Sequence, residues 1–266
     1  MKGRNKELDL LKGFAILLMV FDHVGWGNIV HTYIQSFHMP LFFVVSGYLW
    51  NNEYSVAEVA KKRAKSVMIP YASFATFYML LLCLSVNAGA INQSIEKAVR
   101  AVLLYPTDMA NMPFAPALWF LPCFWLCNIV YAVIGKALAK AKWALIVLAA
   151  VVGMAYSSLS DIMLPLCIEP LAVALLFMFI GEKIKEYEKS IFTLLNDWRI
   201  VVLLLSIEVV LALINGSCDM RSARYHNCLL YIINAVSGTL AYWGVSRKIV
   251  ESLPPKVGGG GYYISV

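Results

Sequence analysis

The chain has 266 residues, 61% hydrophobic and 14% charged, with a mean hydropathy of +0.71 and a formal net charge of +6. A soluble chain is about 45–50% apolar and about 25% charged, so a soluble single domain, a disordered tail and a disulfide-rich secreted module are excluded. The 22 basic residues sit in short clusters between apolar runs, which is a pattern of membrane topology rather than of nucleic-acid binding.

A spanning helix needs about 20 mostly apolar residues, and on that measure the sequence predicts an all-α, multi-pass bundle of about eight spans. They fall near 13–28, 31–50, 67–86, 116–135, 143–158, 162–181, 200–215 and 228–245. The first follows a basic start, MKGRNK, as a signal peptide would. Asp22 and His23 interrupt it, however, and no small-x-small cleavage site follows, so it reads as a retained helix. In the second, Pro40 removes a backbone donor and is expected to break or kink the helix. Ser46 and Gly47 would let another helix approach closely. The loop 87–115 contains INQSIEKAVRAVLLY, whose apolar residues recur at helical spacing and suit a helix lying along the interface. Cys123 and Cys127 lie four apart on an apolar helix. With no His or further Cys at ligand spacing they read as small core or lipid-facing residues, and no metal is expected. The fifth span is short and the loop 157–161 is tight, which fits a helix that is tilted or one that does not fully span. Cys218 and Cys228 flank one outer loop, where a disulfide is compatible with the spacing. There is no evident internal repeat.

Alternating the loops from a cytoplasmic N-terminus puts eighteen basic residues inside and leaves Lys97, Arg100, Arg221 and Arg224 outside. That asymmetry predicts an N-in orientation.

Ionisable residues at membrane depth are costly and face the bundle interior by default, so they mark where chemistry is expected. His23 lies eleven residues after Lys12, about 20° past three helical turns and roughly 16 Å along the axis. The two therefore share a face. A lone histidine in an apolar helix is commonly satisfied by a nearby backbone carbonyl. Here Asp22 adjoins it and Lys12 stands on its face. His38 is expected at similar depth, roughly 18 Å along a helix from Trp50. The cluster Lys61, Lys62, Arg63 and Lys65 would serve to orient helices. Below a buried histidine it would also suit an anionic cytosolic cofactor, since Arg offers phosphate a forked pair of hydrogen bonds and Lys a mobile charge.

The runs ELDLLKGFAILLMVFDH, HMPLFFVVSGY and KKRAKSVMIPY resemble the start of the acyltransferase 3 family, bacterial integral-membrane O-acyltransferases of surface polysaccharides. Softer likenesses follow in ALWFLPCFWLCNIVY, ALLFMFIGEKIKE and RYHNCLLYIINAVSGT. The resemblance implies one membrane acyltransferase domain over 1–266. It also implies a further pair of helices where this chain ends in VGGGGYYISV, so the chain is expected to lack the family's last helices. In the family a basic residue precedes an essential histidine by eleven positions, which Lys12 and His23 match, with Lys where many members have Arg. A basic pair separated by one residue corresponds to Arg63 and Lys65, and His38 stands at the family's His-Met-Pro position. The implied donor is acyl-CoA, with acetyl-CoA expected, and the implied acceptor is a cell-surface glycan or glycolipid. The implied location is the bacterial inner membrane, within membrane lipid and with no nucleic acid partner.

On this reading Lys12, Arg63 and Lys65 bind the donor phosphates and His23 is the general base on the acceptor hydroxyl, a task suited to a reference pKa of about 6.5. His38 is a second polar anchor or orients His23, and a transient acyl-histidine stays open. Two rival readings are a transporter or flippase of a glycan or lipid intermediate, and a non-catalytic subunit of a glycan-assembly complex.

Overall fold

The computed structural model describes residues 5–25, 27–85, 91–111 and 116–253, and among them it contains helices and no strand. The helix α1 (Lys6–Asp22) starts at Asn5, whose side chain accepts from the Leu8 amide at 3.1 Å, with Glu7 and Asp9 complementing the helix dipole in its first turn. Leu8, Leu11 and Ala15 form its buried stripe, while Ile16, Leu17, Val20 and Phe21 are exposed. Spaced by three and four, the stripe is one helical face turned to the protein and the rest is left for lipid.

Two expected spans, 13–28 and 31–50, take a different form. The first ends at Asp22, because Gly25 and Gly27 adopt φ of 86° and 93°, a backbone region open to glycine, and turn the chain. The second is broken into α2 (Asn28–Gln35) and α3 (His38–Tyr48). Pro40 sits in the first turn of α3, where a missing N–H costs nothing, so it starts a helix instead of kinking one. The two ends of this hairpin fix its direction. Tyr48 lies within electrostatic reach of Glu7, and His38 within reach of Asp22. Hence α3 runs back alongside α1.

Next, Val56–Ser85 is one continuous helical rod, basic in its first turns and apolar beyond them, made of α4 (Val56–Arg63), a π-helical turn (Ala64–Met68) and α5 (Ile69–Ser85). Ser55 and Glu58 begin it with a capping box. Pro70 cannot bond to the carbonyl four residues back and would crowd it, and the widened π turn just before it relieves that conflict. The remaining elements are α6 (Ile91–Leu103), α7 (Phe120–Ala137), α8 (Lys142–Leu159), α9 (Ile168–Glu186), α10 (Glu188–Leu195), α11 (Trp198–Asn215) and α12 (Cys228–Ser252).

Six helices among the described residues are long and apolar enough to cross a membrane: Val56–Ser85, Ala117–Ala137, Ala139–Leu159, Pro165–Glu186, Trp198–Asn215 and Cys228–Ser252. About eight spans were expected. The two outside this group are α1, at 17 residues, and the broken α2–α3 pair. Burial separates centre from rim. The apolar stretches of Pro165–Glu186 and Cys228–Ser252 are 56% and 50% buried, against 17% for Val56–Ser85 and for Ala139–Leu159. α3 is the innermost element, buried along nearly its whole length and packed on α9 and α12. The rim helices carry lipid-facing residues such as Leu80, Leu84, Leu148 and Leu213.

The segment 91–103 is helical as its spacing predicts. α6 buries Ala98 and Ala101 and is held by the Tyr71 hydroxyl, which donates to the Val102 carbonyl at 2.6 Å. Cys123 and Cys127 are core residues, both fully buried. Cys218 and Cys228 are free thiols.

Candidate active site

The turn that ends α1 and the break between α2 and α3 bring four chemically active side chains to one end of the α1–α3 pair. His38, first residue of α3, is buried at 2% exposure, and its Nδ1 lies 2.7 Å from the Ile34 carbonyl oxygen. His23, at the end of α1, is exposed, and its Nδ1 lies 2.7 Å from the Met19 carbonyl oxygen. His31 on α2 places Nδ1 2.8 Å from Oδ1 of the buried Asp22. A carbonyl or carboxylate oxygen accepts only. In each neutral ring Nδ1 therefore carries the hydrogen, and Nε2 keeps the lone pair. His38 is within electrostatic reach of Asp22, His23 and His31.

The expectation of an interior His23 is corrected. It lies at the end of its helix and is open, because the glycine turn stops α1 one residue earlier. His38 takes the buried position. Both meet the bland expectation of a histidine held by a neighbouring carbonyl, and that bond is what leaves Nε2 available.

The basic residues stand at the opposite end. Lys12 is half-buried on α1, eleven residues before His23 and so about 16 Å along the axis. Arg63 closes α4. Its Nη2 is 3.5 Å from Ser46 Oγ, its guanidinium lies 5.4 Å from the Phe124 ring centroid, and no carboxylate pairs with it among the described residues. Ser46, which in turn donates to Asn128 Oδ1 at 3.2 Å, is eight residues from His38, about 12 Å along α3. Lys65 sits on the π turn and is exposed. Thus Arg63 is tied to α3, the helix that also carries His38, while Lys65 points away from that packing into the open. A guanidinium without a carboxylate partner remains able to bind an anion through its fork.

Four residues escaped the sequence reading. Asp22 was noticed only as a neighbour of His23, and His31 and Gln35 were not singled out. The turn signal of Gly25 and Gly27 between two apolar runs was the available clue, since it folds residue 31 back toward residue 22. Glu208 was also missed, although it interrupts the run VVLLLSIEVVLALI. It is fully buried on α11 and accepts from Ser36 Oγ at 3.1 Å, which anchors the α2–α3 break to α11.

Comparison with known proteins bears on the same residues. No curated protein and no solved structure matches the chain. The family model described as an acyltransferase domain matches residues 5–259, a span that takes in the histidines, Lys12, Arg63, Lys65 and the twelve α-helices of the described residues. A multi-pass helical chain matched over that length belongs to the acyltransferase 3 family and is a membrane acyltransferase.

Proposed function

We propose that the protein moves an acyl group, acetyl in the first instance, from cytosolic acyl-CoA to a hydroxyl of a cell-surface glycan or its precursor in the bacterial inner membrane. The observation that carries this reading is the polarity of the α1–α3 pair: histidines held through Nδ1 at one end, and at the other, about 12–16 Å along the helices, Lys12 and an Arg63 that has no carboxylate partner among the described residues. The donor phosphates rest on Lys12, Arg63 and Lys65, and the thioester reaches toward His23. The acceptor hydroxyl gives its proton to His23 Nε2 as its oxygen bonds to the thioester carbon. The C–S bond breaks, and the imidazolium returns the proton to the departing thiolate. The Met19 carbonyl holds the ring in the tautomer this requires. Buried His38 is a positioning residue at the same end of the pair.

The N-in orientation, with the cations on the cytosolic side, follows from the basic asymmetry of the loops. The test is thiol release from acetyl-CoA by the purified protein in lipid nanodiscs, with and without a glycan acceptor. Acceptor-dependent release supports the reading. A protein that neither binds nor consumes acetyl-CoA contradicts it and favours a transport or scaffolding role.

A further inference from the structure

Asp22, His31 and Gln35 take no part in the steps above, yet their geometry is fully specified. The Asp22 side chain is 3% exposed and the His31 side chain 50% exposed. His31 Nδ1 donates to Oδ1 at 2.8 Å, and Gln35 Nε2 donates to Oδ2 at 2.6 Å. A carboxylate accepts only, so both partners are oriented without ambiguity: the imidazole gives its Nδ1–H and the amide gives its nitrogen. What each has left is one outward atom, Nε2 of the ring, an acceptor in the neutral imidazole, and the Oε1 carbonyl of the amide. The two residues are four apart on α2, hence on one face. Neither acceptor atom has a further partner among the described residues. His23 follows Asp22 directly in the chain.

We propose that His31 and Gln35, locked by Asp22, bind the acyl acceptor through two neighbouring hydroxyls of a neutral sugar. The inference rests on the acyl-transfer reading and adds the acceptor's chemistry to it. Two open acceptor atoms in one turn of helix require donors from the ligand. Vicinal hydroxyls of a pyranose supply them, while a carboxylate or phosphate has no proton to give and meets lone pairs. One hydroxyl held there presents its neighbour on the ring to His23.

The probes are methyl glycosides of mannose, glucose and galactose, bound to the full-length protein in nanodiscs and followed by saturation-transfer NMR. Acetyl-CoA affinity is measured separately by calorimetry. At least one glycoside is expected to bind, with His31→Ala and Gln35→Leu each weakening it about three- to tenfold, the range for one neutral hydrogen bond, and acetyl-CoA affinity unchanged. Asp22→Asn should weaken glycoside binding too. Its new NH₂ can no longer accept from Gln35, so the Gln35 amide turns over and presents a donor where it had an acceptor.

A wild-type protein that binds acetyl-CoA but none of the glycosides overturns the acceptor site and leaves the acyl-transfer reading standing. Failure to bind acetyl-CoA as well strikes that reading itself. If the trio is only a clasp between α1 and α2, the variants lower the melting temperature while glycoside affinity stays at the wild-type value, and the proposal fails. It also fails if His31→Ala abolishes turnover without raising the glycoside KM, since His31 would then be a base.

Discussion

Gly47 of α3 and Gly181 of α9 are reciprocal. A Cβ on Gly47 would overlap the Met178 carbonyl of α9, and a Cβ on Gly181 would overlap the Val44 carbonyl of α3. In each direction the obstacle is main chain, which cannot swing aside. Lipid tails are as apolar as leucine, so helices in a bilayer gain little by burying apolar surface against each other and depend on close contact of this kind. The pairing seats the innermost helix, and with it His38 at one end and Ser46 beside Arg63 at the other.

Gly47→Ala and Gly181→Ala should each destabilise the fold by about 1–3 kcal/mol or more, as overpacking does. Thermal unfolding in detergent reads this as a lower midpoint. Gly13→Ala is the control: a Cβ there meets nothing within 4 Å, and removing a helical glycine is worth about 0.5–1 kcal/mol in the opposite direction. Equal midpoints for Gly181→Ala and Gly13→Ala would contradict the close approach.

Glu182 on α9 supports a second polar junction. Its Oε2 accepts from the Tyr131 hydroxyl and from Lys142 Nζ, the latter at 2.5 Å, and the Lys142 side chain is 13% exposed. Glu182→Ala leaves a mostly covered ammonium without its partner and should cost about 1–3 kcal/mol, while Glu182→Gln, which still accepts, should cost less. The two variants compared by the same unfolding assay test this. An order reversed between them would remove the junction's role.

How much of this was legible in the sequence depends on what each feature is made of. The helices α7, α8, α9, α11 and α12 follow from hydrophobic length, a signal that survives without any knowledge of neighbours. Gly47 was readable as a site of close approach because a small residue stands out in an apolar run. The ends of α1 and α3 were not readable by hydropathy. Val24, Ile29 and Val30 continue the apolar pattern straight through the turn, and only the positive φ of Gly25 and Gly27 stops the helix. That one turn explains why His23 was expected in the interior, and why the Asp22–His31 contact went unseen. The contact joins residues nine apart, a spacing that shares no face on a continuous helix and becomes close only when the chain reverses. Arg63 was legible as a cation, whereas its lack of a carboxylate partner among the described residues is a tertiary fact.

Orientation is tested by impermeant cysteine labelling. Eighteen of 22 basic residues fall on the side assigned to the cytosol, so a cysteine at Glu53 should be protected in intact cells and one at Asn111 labelled. The opposite pattern would invert the topology and separate Arg63 from any cytosolic donor.

Arg63→Ala should weaken acetyl-CoA binding about ten- to a hundredfold, since a charge-assisted bond to phosphate is worth about 1.5–3 kcal/mol. Arg63→Lys should recover part of it, keeping the charge and losing the fork. Lys12→Ala and Lys65→Ala are expected to weaken binding in the same direction. Calorimetry on the nanodisc protein decides: unchanged affinity in all three alanine variants would reduce the cluster to a topology signal.

The central claim is that His23 Nε2 takes the proton of the acceptor hydroxyl. Its most direct test is acceptor-dependent release of thiol from acetyl-CoA by His23→Gln beside the wild-type protein, with acetyl-CoA affinity measured on the same samples. Glutamine keeps hydrogen-bonding capacity and much of the volume but cannot take a proton. The account predicts unchanged donor affinity and a fall in turnover of about 10²–10⁴-fold, the usual contribution of a general base. A folded His23→Gln protein that binds acetyl-CoA and acylates its acceptor at the wild-type rate would contradict it.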